Sequence, residues 1–177
     1  MSFKELIPFI DLTSLNDQDT EQDIALLCEK AQQAKVAAVC IYPCFIKQAA
    51  VLLKNSGIKI ATVANFPSGE RPLDSVLQEI DESLQAGAHE IDVVFSHQNY
   101  PAAFVTACKE KCKDRILKVI IETGALKDLL LIQKVTQDVI LAGADFVKRS
   151  FSAPVSIITF NILSLHFSLQ AVTKAAG

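Results

Sequence analysis

The sequence predicts an α/β fold of the (β/α)₈ TIM-barrel type, incomplete, with about six strands and a divergent C-terminal segment. Three observations carry this. Short, nearly all-apolar runs alternate with helical stretches, one strand-plus-helix unit every 22 to 30 residues, the pattern of a parallel sheet covered by helices. The stretch Ala86-Gly87-Ala88-His89-Glu90-Ile91-Asp92 is echoed 56 residues later by Ala142-Gly143-Ala144-Asp145-Phe146-Val147-Lys148, each reading as helix, glycine stop, turn and strand. No glycine fingerprint follows the first strand and no Gly-x4-Gly-Lys loop occurs, which argues against an open nucleotide-binding sheet and for the barrel. Residues 1–150 form the barrel portion, and residues 151–177 a divergent segment of the same domain.

Composition narrows the classes. A chain of 177 residues is one domain by length and large enough to bury a core. Half the residues are apolar and the net charge is only −3, which excludes a nucleic-acid surface and a disordered chain. Met1 to Pro8 is too polar for a signal peptide, and no apolar run before residue 150 has the length of a membrane span, so the expectation is a cytoplasmic protein without membrane contact. Five cysteines at 28, 40, 44, 108 and 112 have no histidine at ligand spacing and read as reduced core thiols, with no metal.

The elements follow in order. Pro8 to Leu12 is a short strand with Asp11 as its odd polar residue. Thr20 N-caps a helix, with Asp23 three residues on in a near capping box. Val36 to Tyr42 is a strand stopped by Pro43, Phe45 to Lys54 is helical, and Ile58 to Ala64 is a strand. Leu73 to Ala86 is amphipathic, with Leu73, Val76, Leu77, Ile80 and Leu84 in register. After the 89–95 strand come a helix (Ala102 to Cys112), a strand (Arg115 to Glu122) and a helix (Leu126 to Leu141). Gly143 ends that helix, and a strand closes on Lys148.

Strand side chains alternate between faces, so Asp11 sorts with Phe9, Asp92 with Val94, Lys118 with Ile120 and Glu122, and Lys148 with Phe146. Four charges, two of each sign, sit in otherwise apolar strands. One reading is a buried ion-pair network without chemistry, and for Lys148 alone a lysine snorkelling from a strand end. The other is Schiff-base catalysis, in which a neutral lysine amine attacks a carbonyl. Here the neighbouring Lys118 is expected to depress the Lys148 pKa, and Asp92 to shuttle protons.

These residues sit in motifs that resemble deoxyribose-phosphate aldolase, a class I aldolase family. The resemblance runs over about residues 6 to 150. It rests on Ile10-Asp11-Leu12-Thr13-Ser14-Leu15, Val39-Cys40-Ile41-Tyr42-Pro43, Ala61-Thr62-Val63-Ala64-Asn65-Phe66-Pro67-Ser68-Gly69, Glu90-Ile91-Asp92-Val93-Val94-Phe95 and Leu117-Lys118-Val119-Ile120-Ile121-Glu122-Thr123-Gly124. It implies a (β/α)₈ barrel that reversibly cleaves 2-deoxy-D-ribose 5-phosphate to glyceraldehyde 3-phosphate and acetaldehyde, without metal or organic cofactor. It implies Lys148 as the Schiff-base lysine, Asp92 as the proton-relaying aspartate, and Asp11, Cys40 and Lys118 as substrate-pocket residues. The partners implied are a sugar phosphate and aldehydes, and a homo-oligomer is compatible with it. Two other classes meet the same pattern: a catalytically dead homologue acting as a binding module, and a Schiff-base aldolase for another sugar phosphate.

After Lys148 the chain leaves the family pattern. Arg149-Ser150-Phe151-Ser152-Ala153 stands where the family has a Thr-Ser-Thr-Gly-Lys-like stretch, and Ser156 to Val172 is an apolar, serine-punctuated run. Thr173-Lys174-Ala175-Ala176-Gly177 resembles the start of the family's seventh-strand motif, which implies Lys174 as a second catalytic lysine. The expectation is a truncated chain whose 156–172 run lies as a helix over an unclosed barrel with two exposed parallel edges, marginal in stability and weak in activity.

Overall fold

The structure, a computed structural model, describes residues 3–95, 102–121, 128–148 and 158–160. After a one-turn helix α1 (Phe3–Leu6), strands and helices alternate: β1 (Ile10–Thr13), α2 (Glu21–Ala34), β2 (Ala38–Ile41), α3 (Ile46–Leu52), β3 (Lys59–Ala64), α4 (Leu73–Ala86), β4 (Glu90–Val94), α5 (Ala102–Cys112), β5 (Ile116–Ile120), α6 (Leu129–Leu141) and β6 (Phe146–Lys148). These six strands are parallel, each hydrogen-bonded to the next in sequence, and form a curled, incomplete barrel wall. A seventh strand, β7 (Ile158–Phe160), adds to the outer edge of β1 antiparallel, with Asp11 opposite Thr159.

Local chemistry explains the boundaries. Thr20 caps α2: its hydroxyl accepts the Asp23 N–H and the Asp23 carboxylate accepts the Thr20 N–H at 2.9 Å, a complete capping box. The Asp128 carboxylate accepts the Leu130 N–H at 2.8 Å and starts α6, later than the expected Leu126; residues 126 and 127 lie outside the described ones. Pro8 sits in a 3₁₀ turn with Ile7 and Phe9, so β1 begins at Ile10 rather than Pro8. Pro43 likewise opens a 3₁₀ turn, which delays α3 to Ile46.

The strands are buried on both faces, and their alternation separates two layers. Ile10, Val39, Ile41, Ile60, Ile91, Val93, Leu117 and Val119 face the helices and pack against Ile24, Val76, Ile80, Val105, Cys108 and Val139. On the barrel-interior side lie the small Ala38, Cys40, Ala61 and Val63. That side also carries Asp11, Glu90, Asp92, Lys118 and Lys148, all buried. Small side chains on β2 and β3 leave room for these long ones.

Three expectations are corrected. Residues 158–160 of the 156–172 run form a strand, not a helix, and the rest of that run lies outside the described residues. The β1 edge offered unpaired N–H and C=O groups, and an Ile-Thr-Phe segment with β-branched and aromatic residues satisfies them. That edge is therefore paired rather than exposed. Cys28, Cys40, Cys108 and Cys112 are buried free thiols as expected, but Cys44 is exposed. Among the described residues no helix is long and apolar enough to cross a membrane, and no cluster has the composition of a metal site.

Candidate active site

Lys148 ends β6, and the local chain holds it firmly. Gly143 adopts φ +101° beyond α6, a turn that a side chain would strain. The Asp145 carboxylate then accepts the Leu117 N–H at 2.7 Å and the Lys109 ammonium at 2.7 Å. The Asp145 N–H donates to the Leu117 carbonyl at 2.9 Å, and the Ile121 N–H to the Lys148 carbonyl at 3.0 Å. Strand β6 is thereby fixed to β5 at both ends, with Lys148 opposite Ile120 and pointing to the interior with Lys118.

Asp11, Asp92, Lys118 and Lys148 meet there, together with Glu90. The Lys118 ammonium lies 2.6 Å from Asp11 Oδ2, 2.5 Å from Glu90 Oε2 and 3.8 Å from Asp92 Oδ1. The Lys148 ammonium lies 3.2 Å from Asp11 Oδ2 and in direct hydrogen-bond contact with Asp92 Oδ2. The Cys40 thiol stands 3.7 Å from the same Asp92 oxygen. Register supports this convergence, since Asp92 is the direct neighbour of Lys118 across β4 and β5. Three carboxylates thus surround two ammonium groups, all shielded from water.

The electrostatics reverse one expectation. Burial alone pushes the Lys148 amine down, but the attraction of Asp92 and Asp11 and the hydrogen bond to Asp92 outweigh it, and its pKa stands above the usual lysine value. Lys118 is raised for the same reasons: burial opposes, while Asp92, Asp11 and Glu90 prevail over the repulsion of Lys148. Lys148 is therefore not a depressed-pKa amine at rest. A second lysine nearby still pulls the pKa down, but here the surrounding carboxylates outweigh it. Asp11 is held below the usual carboxylate range, because Lys118 and Lys148 overcome the cost of its burial. Burial raises Glu90, and repulsion from Asp11 and Asp92 adds to this, so it titrates above the usual carboxylate value despite Lys118. Burial and the Asp92 charge raise the Cys40 thiol, which stays protonated.

Glu90 is absent from the site residues that the sequence suggested. The signal was available: it lies two residues before Asp92 on one strand, hence on the same face. Lys174 and Glu122 lie outside the described residues. Another interior-end feature is Asn65, at φ +56° after β3. Its amide donates to the Val94 carbonyl and its Oδ1 accepts the Arg71 N–H, both at 2.9 Å, joining the β3 loop to β4. Two surface clefts, one lined by Lys54, Lys59 and His89 and the other by Lys47, Arg71 and Glu82, contain none of the five clustered charges.

A family model described as DeoC/LacD family aldolase matches residues 6–171. Among solved structures, a candidate deoxyribose-phosphate aldolase from Coccidioides immitis superposes with TM-score 0.80 at 30% identity, over 85% of this chain and 62% of that one. The deoxyribose phosphate aldolase of Aeropyrum pernix, described as a tetramer of unique structure, gives 0.76 at 30% identity, over 84% of this chain and 65% of that one. An aldolase named QR15 gives 0.79 at 27% identity, over 85% and 70%. The chain thus spans less than two thirds of the length of the first and second of these structures.

Proposed function

This chain belongs to the DeoC/LacD aldolase family, and from that membership we propose that it is a class I aldolase working through a Schiff base on Lys148. The proposed reaction is the reversible cleavage of 2-deoxy-D-ribose 5-phosphate to glyceraldehyde 3-phosphate and acetaldehyde. One observation carries the reading: a buried lysine at the C-terminal end of a barrel strand, in hydrogen-bond contact with a buried aspartate. That end of the strands is where barrel enzymes place their catalytic groups.

The chemistry proposed follows from those contacts. Lys148 rests as an ammonium, and its proton passes to Asp92 Oδ2. The free electron pair on Nζ then adds to the aldehyde carbon of the open-chain sugar. Asp92 returns the proton to the carbinolamine hydroxyl, which leaves as water while the iminium forms. The iminium carries the same positive charge as the ammonium, so Asp11 and Asp92 stabilise both and disfavour only the neutral amine between them. Cleavage takes the 3-hydroxyl proton to Asp92 as the C2–C3 electrons move into the iminium, which releases glyceraldehyde 3-phosphate and leaves an enamine. Protonation of its carbon and hydrolysis give acetaldehyde and regenerate Lys148. Asp11, Cys40 and Lys118 are proposed as pocket residues around this site, and Lys174 enters the proposal by resemblance to the family motif.

The test is borohydride trapping with acetaldehyde, read by intact mass and peptide mapping, beside a cleavage assay with deoxyribose 5-phosphate. The expected result is irreversible labelling at Lys148, lost in Lys148→Arg because a guanidinium stays charged. Labelling spread over exposed lysines, with no cleavage, would favour a non-catalytic binding role. Labelling without cleavage of this sugar would favour another sugar phosphate.

A further inference from the structure

Glu90 has no part in the reaction just described, yet it makes the shortest ion pair of Lys118. In register, Lys118 stands directly across from Asp92. Its ammonium is nevertheless 3.8 Å from Asp92 Oδ1, and 2.5 Å and 2.6 Å from Glu90 Oε2 and Asp11 Oδ2. Asp92 Oδ1 is buried and has no hydrogen-bond partner among the described residues. A buried carboxylate oxygen beside a cation ordinarily closes to a charge-assisted bond of about 2.7–2.9 Å, because an unmade bond in the interior is costly. Something pulls the cation the other way.

We propose that Glu90 is a positioning residue: it draws the Lys118 ammonium off Asp92 Oδ1 and so keeps that oxygen open to exchange protons with the reacting molecule. Asp92 then divides its work. One oxygen holds Lys148, and the other, unoccupied by Lys118, receives and returns the substrate proton. Without Glu90, Lys118 keeps Asp11 and closes the gap to Oδ1, occupying the lone pair that the reaction needs. Parity makes the arrangement, since Glu90 and Asp92 share one face of β4 on either side of the Lys118 head group. Glu90 resists ionisation in this setting, so its charge is held against stability, as groups retained for function often are.

The inference rests on the aldolase reading, and its test separates the two. Glu90→Ala and Glu90→Gln are made in the full chain. Each is crystallised, trapped with acetaldehyde and borohydride, and assayed for deuterium exchange into the acetaldehyde methyl group in D₂O. The removed charge leaves two carboxylates and two ammonium groups in balance, and Gln retains an oxygen that accepts from Lys118. In Glu90→Ala the Lys118 ammonium should move to hydrogen-bond distance of Asp92 Oδ1. Lys148 labelling should stay within about twofold, while exchange falls roughly tenfold or more, within the range for loss of general acid–base assistance. Glu90→Gln should recover most of the exchange and hold Lys118 back. An unmoved Lys118 in Glu90→Ala, equal losses of labelling and exchange, or a Gln variant no better than Ala overturns the inference. A wild-type chain without Lys148 labelling overturns the aldolase reading instead, and the Lys118 position in the Glu90→Ala crystal still decides the positioning.

Discussion

The Lys118 ammonium donates a 2.6 Å hydrogen bond to Asp11 Oδ2 across 107 residues of chain. The same oxygen lies 3.2 Å from Lys148. One carboxylate oxygen on β1 therefore bridges cations from β5 and β6, the far side of the curled sheet. Its charge helps to hold both lysines protonated.

Asp11→Asn removes that bridge. Breaking a buried charge network by removing one partner costs about 3–5 kcal/mol, so urea denaturation at neutral pH should show a loss of that order. Lys148 also loses one of the anions that hold it protonated. The pH midpoint of borohydride labelling should move down, and an unchanged midpoint would show that Asp11 does not act on Lys148. Both lysines are held above their ordinary 10.5. Their stabilising contribution is therefore complete below that pH and is lost as pH rises through the folded values.

Glu90→Gln should behave in the opposite sense at neutral pH. Glu90 is raised above the ordinary 4.5, so it favours folding below 4.5 and loses that contribution as pH rises through its folded value. The variant should melt at or above the wild-type temperature at pH 7. Below pH 4.5 that advantage should shrink. A variant less stable at pH 7 would show that the Glu90 charge stabilises the fold.

His89 joins β3 to β4 away from the cluster. Its Nδ1 accepts the Ile60 N–H at 3.2 Å, and burial, with Lys59 and Arg115 nearby, lowers its pKa below 6.5. Its stabilising contribution is present above 6.5 and lost as pH falls through the lowered folded value. Melting temperature should therefore decline from pH 7 to pH 5. His89→Asn, which keeps an acceptor near Nδ1 but does not titrate, should flatten part of that decline.

Gly143→Ala should destabilise by about 1–2 kcal/mol, the cost of a left-handed conformation for a residue with a Cβ. Gly143 has φ +101°, and an added Cβ would meet Lys109 Cγ at 3.3 Å. Lys109 cannot yield freely, because its ammonium is held by Asp145 and by the Arg115 carbonyl. Chemical denaturation measures the loss, and a neutral result would mean that the turn relaxes to another geometry.

Helix α6 carries exposed apolar side chains at both ends: Leu129 82%, Leu130 77%, Ile140 49% and Leu141 77%. The pairs 129/140 and 130/141 repeat at about three helical turns and so lie on one side. Exposed apolar patches of this kind promote association. Leu130→Glu with Leu141→Glu should lower the sedimentation-measured fraction of self-associated protein without loss of helix content.

By itself the sequence determined where the strands and helices lie, because apolar runs, the Thr20 capping box and glycine stops at Gly87 and Gly143 are local signals. It also placed Asp11, Asp92, Lys118 and Lys148 on one face of the sheet. Alternation along a strand follows from covalent geometry, and the same rule extends to Glu90 beside Asp92. The pairing of residues 158–160 with β1 was not legible, because an apolar run does not state which backbone edge it will meet. Nor was the protonation of Lys148. That depends on how many anions stand within a few ångströms and which oxygen each cation chooses, 2.6 Å from Asp11 or 3.8 Å from Asp92 in the case of Lys118. Coulomb energy in a buried site changes steeply over such distances. Only the tertiary structure, which brings β1, β4, β5 and β6 around one space, decided that Lys148 rests as a cation.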